Sequence, residues 1–219
     1  MNIDYQFQNP KLLETALTHI SLANEHGIQS NQRLEFLGDS ILSLVVADYI
    51  FHHFPQLDEG RLTEIRAAAV CEKSLAEAAR KMDLGSGIHF GKSETVCGGR
   101  DKDSILADTF EAVLGAIYLD SGFEACRTWV LHNLEQTITR SSNMDFTNYK
   151  SELQTYFQKR DKSRQVVTYH LIKRSGPDHM PTFWVEAVYD GKVIGKGQGG
   201  SRKAAEQIAA KEAFLKLKP

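Results

Sequence analysis

The stretch "QRLEFLGDSILSLVVA", Gln32 to Ala47, decides how the first half of this 219-residue chain is read. It is apolar over so much of its circumference that it reads as a helix buried on most sides. Two carboxylates interrupt it. Glu35 and Asp39 stand four residues apart, hence on one helical face. Ionised carboxylates are almost never fully buried unless they are paired or bound to a metal, so this pair demands a partner.

Outward from that stretch the pattern stays helical. The helix runs from about Asn31 to His53, and Pro55 ends it. Before it, Pro10 opens a helix over Lys11 to His19. After it, Glu59 to Val70 and Glu72 to Met82 carry apolar residues at helical spacing. A glycine-rich segment from Gly85 to Gly91, with Gly98-Gly99, reads as loop. Another apolar helix covers Ser104 to Leu119, breaks at Asp120-Ser121-Gly122, and is followed by an amphipathic one from Phe123 to Arg140.

The helix "SILADTFEAVLGAIYL", Ser104 to Leu119, repeats the opening puzzle, since its only charges are Asp108 and Glu111. They lie three apart and share a face. Gly38 and Gly115 lie near the two acid pairs and would let the two helices approach closely. Four carboxylates in one place repel one another, and a divalent cation removes that cost. Hard oxygen ligands select Mg²⁺ or Mn²⁺, and an open carboxylate site that keeps waters suits phosphate substrates. The structural alternative is that Arg33, Arg61 or Arg66 neutralises the acids.

The net charge of −2 hides a division. Residues 1–147 hold 12 Lys and Arg against 21 Asp and Glu, a balance of −9; residues 148–219 hold 14 against 7, a balance of +7. A basic half beside an acidic one suggests two jobs, with the basic part meeting a polyanion. There the periodicity also changes. Tyr149 to Arg160 is helical; Val166 to Lys173, Thr182 to Tyr189 and Val193 to Gln198 read as strands; Gly176-Pro177 and Asp190-Gly191 are turn dipeptides; and Ser201 to Leu217 is an Ala-rich helix. The order α-β-β-β-α packs most economically as a three-stranded antiparallel sheet with two helices on one face. The domains expected are 1–140 and 148–218, joined by a polar linker, 141–147.

Several classes are excluded. Cys71, Cys97 and Cys126 are dispersed, with no CxxC spacing, which argues against a disulfide framework or thiolate metal site. MNIDYQFQNP shows neither a basic start nor an apolar run, so no secretory signal is expected. The most apolar stretch, Ile41 to Ala47, is far short of a membrane span. A reduced, cytoplasmic protein is the simplest expectation. His52-His53 ends a helix without an HExxH pattern, and Gly98-Gly99 lacks the Lys-Ser/Thr of a P-loop.

At the N-terminal end of the last helix, Arg202 and Lys203 stand where the macrodipole disfavours cations. With Ser201 as cap, that end is an anion site, and the two cations make sense if a phosphate lies there. Gln154 and Gln158 share a face of the first helix of this domain, and His179 lies on the turn between the first two strands.

Blocks of this sequence resemble a known family. "NQRLEFLGDS" (31–40) is similar to the signature of ribonuclease III, and "ADTFEAVLGAIYLDSG" (107–122) to its second acidic helix. "ALTHIS" (16–21) and "EGRLTEIRAAAV" (59–70) also match. "ELQTYFQKR" (152–160), "GPDHMPTFWVEA" (176–187) and "GQGGSRKAAEQIAAKEAF" (197–214) resemble the double-stranded RNA-binding domain. That resemblance implies that the Gln154 and Gln158 amides reach 2′-hydroxyls and base edges of an A-form minor groove and that His179 enters the next one.

The resemblance covers nearly the whole chain, as in bacterial members. It implies two domains, an all-α ribonuclease III endonuclease domain followed by an α+β double-stranded RNA-binding domain. It implies that Glu35, Asp39, Asp108 and Glu111 form the metal-binding and catalytic set, with Glu111 holding the metal, Asp39 close to the scissile phosphate, and Glu59 in a supporting role. The activity implied is metal-assisted hydrolysis of double-stranded RNA to 5′-phosphate and 3′-hydroxyl ends, in ribosomal and messenger RNA processing.

Mg²⁺ is the expected cofactor, with Mn²⁺ as substitute and no organic cofactor. A homodimer would supply two acid clusters for two strands, with Phe36 a candidate for its interface. Gln32 departs from the family, which often has an acid there; altered substrate discrimination is expected, not lost chemistry. The rival readings are a non-catalytic RNA-binding regulator and, more weakly, a small-molecule phosphatase.

Overall fold

A computed structural model describes residues 1–143, 148–161, 166–177 and 180–217, and the chain divides into two compact units, 1–144 and 145–219. In the first unit α1 (Pro10–Ala16) starts at a proline capped by the Asn9 side chain. It stops three residues before the expected His19, because His19 caps a further helix, α2 (Ile20–His26), through Nδ1. Then come α3 (Gln32–His53), α4 (Glu59–Ala69), capped by Asp58, and α5 (Glu72–Lys81).

The glycine-rich segment, expected as loop, is not featureless. It forms α6 (Leu84–Gly87), α7 (Lys92–Val96) and a 3₁₀ turn (Gly99–Asp101). Next, α8 (Asp103–Ser142) consists of two helical stretches that meet in a kink at Gly122, where the break expected in the sequence falls; its φ of 78° and ψ of −169° suit glycine alone. At the kink Asp120 accepts hydrogen bonds from Tyr5 Oη (2.7 Å) and from the Gln8 and Asn9 amides (2.9 and 2.8 Å), which ties down the N-terminal arm.

The core of this unit sits between α3 and α8, which pack more extensively than any other pair of elements. Leu42, Val46, Phe110, Leu114 and Ile117 are fully buried there. Ser141 and Ser142, expected in the linker, extend α8, with the Ser141 hydroxyl turned back to the Thr137 carbonyl. The remainder of that expected linker, 144–147, lies outside the described residues.

The second unit has the order α9 (Tyr149–Asp161), β1 (Thr168–Ser175), β2 (Thr182–Tyr189), β3 (Lys192–Gly199) and α10 (Arg202–Leu217). The sheet is antiparallel, β1-β2-β3, with Val185 opposite Leu171 and Gly197. Asp190 and Gly191 both take positive φ, as a two-residue hairpin turn requires. Alternate residues of β2, Val185, Ala187 and Tyr189, face a core completed by Leu153, Phe157, Ala205, Ala209, Ala213 and Phe214. Gly195 and Gly197 let α10 lie close on β3, since an added Cβ would overlap the carbonyls of Ala209 and Ala205.

Candidate active site and nucleic-acid interface

Backbone contact between α3 and α8 sets the position of the acids. A Cβ on Gly38 would overlap the Glu111 carbonyl oxygen, and one on Gly115 would overlap the Leu34 carbonyl oxygen. The two helices therefore cross at van der Waals distance where the acid pairs stand. Glu35, Asp108 and Glu111 each offer a carboxylate oxygen, and these oxygens lie within 4.8 Å of one another, all half-buried. Asp39 is exposed and outside that triad, yet near enough for its charge to act on both Glu35 and Glu111.

Proximity raises the proton affinity of these acids. Burial, then the charges of Asp39, Asp108 and Glu35, push the Glu111 carboxyl up to about 8. Burial followed by Asp108 and Asp39 raises Glu35. Asp108 is raised by burial and by Glu72, while His19 draws it down. Among the described residues no lysine or arginine forms an ion pair with any of the four acids; Arg61 is paired with Glu64 (3.5 Å) and donates to the Ser142 carbonyl (3.0 Å). Arginine neutralisation is thus not how the cluster is balanced. An all-oxygen set of convergent, mutually repelling carboxylates fits a hard divalent cation.

Two neighbours escaped the sequence reading. Glu72, the first residue of α5, adds a further negative charge beside Asp108. His19 stands near enough for Asp108 to act on it, with burial lowering its basicity. Spacing could not reveal either, because each reaches the site from another part of the fold. Glu59 is not in the triad. It begins α4 on a cleft of about 360 Å³ that Ala47, Ile50, Phe51, Leu57, Leu62, Thr63 and Arg66 also line. Phe36, Leu44 and Phe51 project from α3 into solvent, 77%, 57% and 66% exposed.

In the second unit the Ser201 hydroxyl accepts from the Ala204 amide (3.1 Å), so it caps α10 as expected. Lys203 is exposed. Arg202 has a protein partner, its Nε lying 3.0 Å from Glu206 Oε1. Gln158 is exposed, whereas Gln154 is half-buried and its Oε1 accepts from the Val167 amide (2.9 Å). His179 lies outside the described residues. No described helix is long and apolar enough to cross a membrane.

Comparison with known proteins agrees in both units. Residues 9–138 match the family described as ribonuclease-III-like, and residues 149–217 match the double-stranded RNA binding motif. The chain is 48% identical to "Ribonuclease 3" of Desulforamulus reducens over 98% of its own length and 88% of the relative's. It is 46% identical to that of Caldanaerobacter subterraneus subsp. tengcongensis, covering 98% and 95%. Among solved structures, a nuclease domain of ribonuclease III from Campylobacter jejuni superposes with a TM-score of 0.58 at 45% identity, covering 61% of this chain and 92% of that one. In that domain, structural flexibility is described in a region involved in dimer formation.

Proposed function

The chain belongs to the ribonuclease III family, and from that membership we propose a homodimeric, Mg²⁺-dependent endoribonuclease that hydrolyses double-stranded RNA at the α3–α8 acid cluster. The observation that carries the reading is the convergence of Glu35, Asp108 and Glu111 within 4.8 Å, with Glu111 pushed up to about 8 and no described basic residue paired with them. These three would hold the divalent ion. When bound, the ion supplies charge stabilisation at a phosphoryl oxygen and activation of water. Asp39, exposed at the rim, accepts a hydrogen bond from the attacking water and aligns it with phosphorus. Attack breaks the bond to the 3′ oxygen and leaves a 3′-hydroxyl and a 5′-phosphate.

The exposed face of α3 supports the dimer. Phe36, Leu44 and Phe51 are spaced 8 and 7 residues, so they fall within one arc of the helix and span about 22 Å at 1.5 Å per residue. A twofold axis near Leu44 would run two copies of α3 antiparallel and bring each Phe36 to the cleft beside the partner's Phe51. Glu59 lines that cleft, and Phe36 adjoins Glu35, so Glu59 would support the acid cluster of the other protomer. In the second unit Gln158, Ser201, Arg202 and Lys203, with Gln154 and His179, would contact the duplex across successive grooves. Ribosomal and messenger RNA precursors in the cytoplasm are the substrates this reading favours.

Incubating the purified chain with a long RNA duplex, with Mg²⁺ and with chelator, tests it. Cutting only with Mg²⁺, lost in Glu111→Gln with duplex affinity retained, is expected. Binding without cutting under any divalent ion would instead establish the non-catalytic regulator.

A further inference from the structure

The ion pair at the start of α10 does more than balance a surface charge. The Glu206 side chain is only 13% exposed, and each of its oxygens has a cation. Oε1 takes Arg202 Nε at 3.0 Å, and Oε2 takes Lys150 Nζ at 2.7 Å. Lys150 also lies over the Tyr169 ring, 4.6 Å from its centroid. One residue on, Gln207 Nε2 donates to Asn148 Oδ1 at 2.9 Å, and the same oxygen accepts from the Ser151 amide in the first turn of α9. The start of α9 and the second turn of α10 are therefore fastened together, with Glu206 at the junction. Burial pushes its carboxyl up, but the hydrogen bonds from Lys150 and Arg202 outweigh this and hold it below the ordinary range.

This arrangement also orients Arg202. Its Nε is engaged by Glu206, and among the described residues no acceptor takes its two Nη nitrogens, on a side chain that is 60% exposed. A guanidinium held by one edge presents the other edge in a fixed plane, the geometry suited to a phosphate fork. A carboxylate four residues along also offsets the repulsion between Arg202 and the N-terminal end of the helix.

We propose that Glu206 is a positioning residue for duplex binding: without touching RNA, it aims the Arg202 Nη edge at a backbone phosphate and ties it through Lys150 to α9. The inference rests on reading the start of α10 as a phosphate site.

Charge alone predicts the opposite outcome, which makes the test sharp. Removing a carboxylate near a polyanion site should tighten binding, whereas losing a positioning group should weaken it. Affinity of the full chain for a short RNA duplex would be measured against KCl concentration, in a Glu111→Gln background that prevents cutting. Glu206→Gln is expected to weaken binding about tenfold, the scale of one charge-assisted hydrogen bond, and to lower the slope of log K against log salt by about one. Arg202→Ala should do the same, and the double variant should be no weaker than Arg202→Ala alone. Arg202→Lys, on the surface and harmless to folding, keeps the charge but loses the fork, and should also weaken binding.

Wild-type or tighter binding by Glu206→Gln, with Arg202→Ala weakened, overturns the inference and leaves the phosphate site standing. Additive losses in the double variant do the same. Unchanged affinity and slope in Arg202→Ala overturn both.

Discussion

The proton on Glu111 gives the acid cluster a measurable signature. In the unfolded chain this carboxyl titrates near its ordinary 4.5, and in the metal-free fold near 8. Between those values the folded state holds a proton that the unfolded state has released, so the stability Glu111 contributes is fully present below 4.5 and is lost as pH rises toward 8. At 1.36 kcal/mol per unit the whole displacement would be worth about 5 kcal/mol. Solvent reaches part of the side chain, and screening reduces this to roughly 2 kcal/mol. Glu35 and Asp108 are raised too and act in the same direction. His19 is lowered and acts in the opposite direction, but only below its ordinary 6.5.

The window from pH 6.5 to 8.5 therefore isolates the acids. Glu111 alone should cost about 1 kcal/mol across it, or roughly 3 °C in the melting temperature of the first unit. Trp129, buried in α8, reports that unit by fluorescence once Trp184→Phe silences the other tryptophan. In chelator the wild type should melt lower at pH 8.5 than at 6.5, and Glu111→Gln should lose most of that decline. Saturating Mg²⁺ should raise the wild-type melt, since a ligand at a hundredfold excess over Kd stabilises by about 2.7 kcal/mol. Parallel pH profiles for wild type and Glu111→Gln in chelator would refute the electrostatic account.

Three further outcomes are expected. Arg202→Ala with Lys203→Ala should lower the salt slope of duplex binding by about one to two, and an unchanged slope would mean that neither meets a phosphate. Phe36→Glu should yield a folded monomer by light scattering, lose cleavage and melt below the wild type, because dimer association no longer stabilises the fold; a persistent dimer would move the interface elsewhere. Gly38→Ala should destabilise the first unit by roughly 1–3 kcal/mol through overpacking and shrink the Mg²⁺-induced rise in melting temperature. A full metal response in Gly38→Ala would show that the helix crossing does not set the site.

The acids could be read from the sequence because a carboxylate within an apolar helix is costly unless a cation meets it, and two such helices carry that cost twice. Gly38 and Gly115 pointed to the close approach in the same local way. Other features depend on contacts that no local pattern carries. The helix α2 is only seven residues long and is capped by a histidine nitrogen rather than by Ser, Thr, Asp or Asn. The glycine-rich segment reads as loop by composition, but Arg100 donates to the Gly85 and Ser86 carbonyls and Lys102 pairs with Glu94, and these contacts hold short helical turns in place. Gln154 shares a helical face with Gln158, as its spacing says, yet a long-range bond to the Val167 amide makes it part of the fold. Glu206 reads in the sequence as one more charge on a soluble helix, and only the fold brings Lys150 to its other oxygen.

The order of events at the site follows from relative energies. Leu42, Val46, Phe110 and Leu114 are fully buried around the α3–α8 crossing, each worth roughly 1.5–3 kcal/mol. Together they exceed the roughly 2 kcal/mol that the Glu111 displacement represents after screening, so packing can hold the acids together before any cation arrives. Protonation of Glu111 then relieves the repulsion. A divalent ion has to displace that proton to gain the ligand, so its binding must release protons, at most about one per site, at pH values below the Glu111 midpoint. Calorimetric titration in buffers of different ionisation enthalpy measures that number directly. Release of no proton would mean that Glu111 is already ionised in the metal-free fold, and that packing does not impose the repulsion inferred from the α3–α8 crossing.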